Sequence, residues 1–600
     1  MKLAERPLPM TRQELDALGV WQPDFIIVSG DAYIDHPSFG TAIIGRVLEQ
    51  AGFCVAVIAQ PNWKNTNDFT RLGEPRLGFL VNGGNVDSMV ANYTVAKRKR
   101  DYDYYSPGGK TGLRPDRAVI VYCNKIREAY GDVPIVIGGI EASLRRFAHY
   151  DYWDHKLRRS VLLDSGADLL SYGMGERSIL RIAQLLDKGV PVGKIRDVPG
   201  TALLCERDWR PKGSFSMLPS FKELQQDKLK YAKSFKMQYA NCDPVGGKVL
   251  CELYDEGLLV QNPPSAPLVQ KELDQLARIP YTRKAHPLYG KEGVPALTEV
   301  EFSVTHNRGC FGGCAFCAIA YHQGRAVHSR SIPSVVEEVE LLTTLPGFKG
   351  YIHDIGGPTA NFRTGPCKAV AKGEKGVCPH RRCLTPTPCP NLEVDHSEYL
   401  ELLQQAAAVK GVKRVFVRSG IRHDYVMADQ QHGPRFIETL ARRYVSGQLR
   451  TAPEHICPQV LTLMGKPPYE VYEKFVDQFN AASRKAGREQ YVVPYLMSSH
   501  PGATMQSAQR LAEYMQRHRI KAEQVQDFYP TPGTAATVMY YTGVDPFTGK
   551  AVYTATSPKE KQAQRALLGN PQKARPGGKK ESYSPKNRER RKKVPGKGNR

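Results

Sequence analysis

Arg308-Gly-Cys-Phe-Gly-Gly-Cys-Ala-Phe-Cys317 sets Cys310, Cys314 and Cys317 in a C-x3-C-x2-C array among three glycines. Three thiols this close cannot all serve one disulfide, because one is left over. They can converge on one face of a tight loop, with glycine letting the backbone fold around a metal centre. Soft sulfur ligands select zinc, copper(I) or iron–sulfur. A structural zinc site is closed by a fourth ligand, whereas three ligands leave one position open. A zinc knuckle and an iron–sulfur site are the two readings of the array itself.

Outward from this loop, apolar strands alternate with amphipathic helices. Val300–Thr305 reads as a strand running into the cysteines, with a helix over Ser334–Leu345 behind them. Strand Gly350–Ile355 precedes helix His396–Val409, and strand Arg414–Arg418 precedes a helix holding Phe436–Tyr444. Strand Gln448–Ala452, helix Tyr469–Ala486, strand Tyr491–Met497, helix Thr504–His518 and strand Gln524–Tyr529 follow. Six such steps argue for a partial (β/α)6 barrel of TIM type, whose chemistry collects at the C-terminal strand ends.

The array and its setting resemble the radical S-adenosyl-L-methionine (SAM) superfamily, and within it the YgiQ-type group. The residues that carry the resemblance are Phe302-Ser-Val-Thr-His-Asn-Arg-Gly-Cys-Phe-Gly-Gly-Cys-Ala-Phe-Cys317, His322-Gln-Gly-Arg325 and Asp354-Ile-Gly-Gly-Pro-Thr-Ala-Asn361. Cys389-Pro-Asn-Leu392, Arg418-Ser-Gly-Ile-Arg422 and Tyr529-Pro-Thr-Pro-Gly-Thr534 continue it, so that it spans about residues 20 to 560.

The resemblance implies that Cys310, Cys314 and Cys317 hold three irons of a [4Fe–4S] cluster while SAM chelates the fourth. Phe316 matches the aromatic that usually precedes the third cysteine. Gly356 and Gly357 match a turn whose bare backbone binds the SAM amino group, although Pro358 replaces the usual acid. Arg418 and Ser419 match the polar pair that meets the ribose and carboxylate. Ala452-Pro-Glu-His455 and Ser498-Ser-His-Pro-Gly502 end the fourth and fifth strands, the latter like the small-residue turn beside the adenosine. The implied chemistry is one-electron cleavage of SAM to methionine and a 5′-deoxyadenosyl radical, fed by an external electron donor of flavodoxin or ferredoxin type. It names no substrate.

A second group, Cys367, Cys378, Cys383 and Cys389, has the spacing C-x10-C-x4-C-x5-C in a Pro- and Gly-rich insertion over 362–392. Such a segment cannot bury a core of its own, and a metal would staple it. An auxiliary iron–sulfur cluster, a closed zinc site and free loop cysteines are the readings, with His380 a spare ligand.

The N-terminal half has the same alternation. Asp24–Gly30, Phe53–Ala59, Ala118–Tyr122 and Pro134–Gly139 read as strands, and Gly40–Glu49 and Lys125–Tyr130 as helices. Ala167–Glu176 leads into a helix over Arg177–Leu186, and Thr11-Arg-Gln-Glu14 reads as a capping box. Continuous apolar strands between helices argue for a doubly wound parallel sheet with Gly138-Gly139 and Gly173–Gly175 at its ligand-binding edge. This layout resembles a cobalamin-binding domain. Its Asp-x-His-x-x-Gly is absent, since Asp35 and His36 are adjacent, so cobalamin is not expected. Two segments mix charge with aromatics: Lys97–Ser106 reads as a nucleic-acid surface or as a solvated loop with its tyrosines folded onto the domain, and Phe147–His155 as the lining of a site or as a packed amphipathic patch.

The expected domains are a lead-in over 1–20, a doubly wound (cobalamin-binding-like) domain over 21–200, and a connector over 201–298 that includes a charged helix near Phe221–Met237. A radical SAM core over 299–560 and a basic tail over 561–600 complete the chain. The formal charge is +24, and from Lys573 to Arg600 seven Lys and five Arg against two Glu give +10 of it. That tail reads as disordered and would give electrostatic affinity for nucleic acid at most. With no signal peptide and no apolar run of about 20 residues, the chain is expected in the cytoplasm and off the membrane. Eight of the thirteen cysteines fall between Cys310 and Cys457, which in a reducing compartment favours metal over disulfide. Two other functions stay open: a methylthiotransferase-like modifier of RNA or ribosomes, and a zinc-ribbon RNA-binding protein.

Overall fold

The computed structural model describes residues 1–363, 365, 367–371, 375–379, 381–520 and 525–569. His380, Pro366, Gln524 and the basic tail from Lys573 lie outside the described residues.

Strands Phe25–Ser29, Val55–Ala59, Gly78–Asn82, Ile135–Gly138 and Leu169–Ser171 are apolar almost throughout and are buried along most of their length. Such runs suit parallel strands covered on both faces. Phe25, Ile27, Val55, Val57 and Leu80 enter one core with Ala42, Leu48 and Ile182. The alternate residues Ile26, Val28, Ala56, Ile58 and Val81 enter the other, with Val119, Tyr122 and Ile126. Numbered along the chain, these five parallel strands run in the order 2-1-3-4-5. The order reverses beside the first strand, and ligands collect at such a switch point. A cavity of about 400 Å³ opens there, at the carboxyl ends, lined by Thr41, Asn82, Gly138, Gly139, Ser171 and Gly173.

Three expectations are corrected. Ala118–Tyr130 is one helix, not a strand followed by a helix. Its buried residues Ala118, Val119, Tyr122, Cys123 and Ile126 repeat at helical spacing, which a window of five apolar residues hides. The stretch read as a connector carries strands Thr201–Cys205, Phe215–Met217, Val249–Leu253 and Leu258–Gln261, which extend the same sheet to nine strands. The charged helix near Phe221–Met237 is two helices, Phe221–Gln226 and Lys228–Ala240, separated at Asp227, which caps the second.

In the C-terminal half, neighbouring strands pair in parallel and in chain order. Ser303–Thr305 pairs with Asp354–Gly356, and Tyr351–Ile352 with Arg414–Val415. A single bridge, Ile421 to Thr451, links the third step to the fourth. Gln448–Glu454, Tyr491–Ser498 and Val525–Asp527 form one three-stranded ladder. Helices Ile332–Thr343, Ser397–Ala408, Gly433–Thr439 and Tyr469–Lys485 cover Val304, Ile352, Val415 and Leu449 in one core.

The two halves are clamped by ion pairs. Arg308 meets Glu176 at 2.6 Å and Arg278 meets Glu337 at 2.9 Å. Arg283 reaches the buried Glu338, which Arg330 also grips. The Phe147–His155 segment is a packed patch: its hairpin sets Tyr150 4.8 Å from Tyr541 and Trp153 5.7 Å from Tyr529. No helix among the described residues is long and apolar enough to cross a membrane.

Candidate functional site

The cysteine loop leaves the first strand of the C-terminal half through Gly309, at φ +80°. A Cβ there would lie 1.8 Å from the Ala326 carbonyl oxygen, so no other residue fits. The Ala315 N–H donates to Met464 O at 2.8 Å, and the Ala315 carbonyl accepts from Ala536 N at 2.9 Å. Both ends of the loop are therefore fixed before any ligand binds.

Segments that follow the second to fifth strands reach this loop. Thr359, after the second strand, stands with Oγ1 3.5 Å from Cys310 Sγ. Arg422, after the third, donates from Nη1 to Cys314 Sγ at 3.1 Å. Lys466, beyond the fourth, lies 5.7 Å from the Phe316 ring and donates to Ala452 O at 2.8 Å. His500, after the fifth, meets the Phe316 ring edge-on at 5.9 Å.

The three thiols differ in charge preference. Burial pushes Cys310 up, and the Cys314 thiolate adds to it. Burial, Cys314 and Cys310 together push Cys317 up to about 12. Burial also acts on Cys314, but Lys466 and Arg422 more than offset it and hold this thiol below its usual range. Burial pushes His500 down to about 3, so its ring is neutral. Among the described residues no three His, Cys, Asp or Glu side chains stand at the spacing of a single metal ion. A three-thiolate set around its own sulfide core fits an iron–sulfur cluster, and the cations beside Cys314 suit its negative charge.

The residues expected to contact SAM sit around Asp354, at the ends of the second and third strands. Asp354 accepts from Arg418 N at 2.7 Å and Ser419 N at 3.2 Å, and it also takes the Ser419 hydroxyl. Gly356 packs against Ser419 and Asp354, and Gly357 against Asn307, so neither position has room for a Cβ. Arg418 is exposed. Sequence reasoning missed Lys466; it quoted Thr359, Arg422 and His500 within motifs without a role.

The second group is brought together. Cys367, Cys378, Cys383 and Cys389 line one cavity of about 400 Å³. Cys389 N donates to Cys383 O at 2.8 Å, and Cys367 bridges to Leu392. Burial pushes Cys383 up to about 11, against the pull of Arg325, and its three partner thiols push the same way. All thirteen cysteines are free thiols.

The family described as Radical SAM N-terminal matches residues 7–303, and a domain of unknown function (DUF3362) matches 523–572. A UPF0313 protein of Clostridium botulinum (strain 657 / Type Ba4) is 53% identical over 562 residues, 94% of this chain and 87% of that protein. A UPF0313 protein of Clostridium perfringens (strain ATCC 13124) is 53% identical over 94% of this chain and 84% of that protein. Among solved structures, the radical SAM methyltransferase TsrM from Kitasatospora setae, with cobalamin and a [4Fe–4S] cluster bound, is similar at TM-score 0.47 and 15% identity, over 85% of this chain and 77% of that one. The cobalamin-dependent enzyme OxsB is similar at TM-score 0.46 and 10% identity, over 88% and 57%.

The expectation that left cobalamin out is corrected, because these similar enzymes carry it. Of the stretch used to exclude it, Ser38 and Gly40 line the cavity at the switch point, whereas the acid and the histidine are engaged elsewhere. Asp35 is paired with Arg46, and His36 lies 3.3 Å from Arg283. Neither lines that cavity.

Proposed function

Because the chain belongs to the UPF0313 family of the radical SAM superfamily, we propose that it is a radical SAM enzyme. Cys310, Cys314 and Cys317 would hold the [4Fe–4S] cluster, with Gly356, Gly357, Arg418 and Ser419 on SAM. The observation that carries this reading is the convergence of Thr359, Arg422, Lys466 and His500, from the segments that follow four successive strands, on one three-cysteine loop. The chain-order parallel pairing supports a partial barrel around it.

Cluster and SAM together would supply one-electron cleavage of the sulfonium and a 5′-deoxyadenosyl radical that removes a hydrogen atom from substrate. The protein's own residues position and shield. Arg422 and Lys466 stabilise the Cys314 thiolate. Phe316 and the neutral His500 close the loop's apolar side against water. Asp354 fixes the backbone of Arg418 and Ser419 in place.

The four cysteines of the insertion would hold a second metal, an iron–sulfur cluster or zinc. The cavity at the switch point has glycine walls and opens at the carboxyl ends of the strands, where folds of this kind bind ligands. Cobalamin is the one to test there; His36, held 3.3 Å from Arg283, does not itself line the cavity. An external electron donor completes the partners.

The test uses protein purified without oxygen, reduced with dithionite and given SAM. Iron, sulfide and 5′-deoxyadenosine are measured in wild type and Cys314→Ala. About four or about eight irons, with turnover lost in the mutant, support the enzyme. Zinc alone, without SAM cleavage, overturns it in favour of a binding module.

A further inference from the structure

Nine arginines are buried among the described residues. Seven of them, Arg46, Arg114, Arg145, Arg283, Arg330, Arg363 and Arg422, are paired with a carboxylate. Arg146 and Arg325 are the two that have no such partner among the described residues, and both line one cavity of about 550 Å³ between the halves.

We propose that this cavity binds the substrate by an oxyanion group, phosphate or carboxylate, held between Arg146 and Arg325. The substrate role rests on the radical SAM reading. A buried cation without a counter-charge is costly, and the fixed fork of a guanidinium suits an oxyanion; that cost falls on Arg146, because Arg325 also lines the cavity of the second cysteine group and pulls on its Cys383 thiol. Arg146 is only 3% exposed. Its plane lies 3.7 Å from the Tyr321 ring and 4.6 Å from the Tyr172 ring. Its Nε donates to Gln261 at 2.5 Å and its Nη1 to Ser143 O at 2.6 Å. Nη2 makes no hydrogen bond among the described residues. Rings and bonds thus hold the group in place without neutralising it.

Arg325 is held by carbonyls, those of Cys378 at 3.0 Å and Arg381 at 3.2 Å, with Tyr239 4.5 Å from its plane. His322 lines the same cavity, with Nδ1 buried and without a partner. Burial, with Arg146 beside it, pushes that ring down to about 4, so it stays neutral. Cys242, Tyr321 and Arg325 also line the small cavity shared by Cys314 and Cys317. An anion held here has its body beside the cluster loop.

The experiment is calorimetric titration of the whole reconstituted protein with inorganic pyrophosphate and, separately, with citrate. Wild type is compared with Arg146→Met, Arg325→Met and, as control, the exposed Arg484→Met. At least tenfold weaker binding in both cavity variants, with the control unchanged, supports the site. Binding of pyrophosphate alone assigns a phosphate ester, and of citrate alone a carboxylate. No binding of either probe by wild type, or equal binding by all variants, overturns it. Circular dichroism checks each fold; if Arg146→Met does not fold, Arg325→Met decides. Formation of 5′-deoxyadenosine is measured on the same wild-type sample. Its absence sinks the radical reading while the binding data still judge the anion site.

Discussion

Arg422 donates to Cys314 Sγ at 3.1 Å with one edge and grips both oxygens of Asp424 with the other, at 2.6 and 2.9 Å. Asp424 therefore aims the guanidinium and does not touch the cysteine itself. Lys466 adds a second cation on the same thiol, drawn back by Glu454 at 3.6 Å. Of the three cysteines, Cys314 alone is held below its usual range, by cations from two separate segments of the chain.

The expected consequence is electrochemical. A cation and a hydrogen bond at a ligating sulfur favour the reduced, more negative cluster. Arg422→Met is expected to lower the midpoint potential in a redox titration followed by electron paramagnetic resonance, with Arg422→Lys in between. Equal potentials in all three proteins rule the role out. Arg422→Met also leaves Asp424 buried and unpaired, a loss of about 3–5 kcal/mol, so denaturation is measured alongside.

Gly309 gives a second prediction. Its φ of +80° excludes a side chain, as does the Ala326 carbonyl oxygen, which lies 1.8 Å from where a Cβ would stand. Gly309→Ala forces the loop backbone itself to move, beyond the roughly 1–2 kcal/mol of a left-handed residue. The expected result is protein that binds less iron on reconstitution while its far-ultraviolet circular dichroism stays native. Full iron loading in the variant shows the turn to be adaptable.

The fold was legible where one strand carries its own signal. Val55–Ala59 could be read because burial on both faces makes every position apolar. Thr201–Cys205 and Leu258–Gln261 were missed because they join the sheet as antiparallel additions, more than fifty residues apart in the chain. Ala118–Tyr122 misled because its first residues are apolar in either state, and only Cys123 and Ile126 fix the helical face. At the site, the cysteines could be read from spacing. Arg422 lies 108 residues from Cys314, and its contact exists only once the strand ends converge. Its place at the end of a quoted motif, three residues after Ser419, was the one signal available.

Cys383 separates the two cysteine sets. Burial pushes its thiol up to about 11, and it shares its cavity with Cys367, Cys378 and Cys389. In Cys383→Ala the metal of the insertion is expected to be lost, seen as about four irons or one zinc fewer. The signal of the cluster on Cys310, Cys314 and Cys317 is expected to remain. An unchanged metal count assigns the insertion's cysteines to no metal at all.

Glu338 ties stability to pH. Its side chain is 3% exposed and holds Arg283 of the N-terminal half and Arg330 of the core at once. Burial raises its pKa, but the two arginines dominate and bring it from 4.5 to about 2. The folded value lies below the unfolded one, so the stabilisation is fully present above about pH 4.5 and is lost as pH falls towards 2. Urea midpoints taken down this range are expected to fall more steeply in wild type than in Glu338→Gln. At neutral pH the variant is less stable by several kcal/mol, because two buried guanidinium groups lose their counter-charge. Parallel acid profiles for the two proteins, with equal stability at pH 7, would show that the clamp between the halves does not depend on this carboxylate.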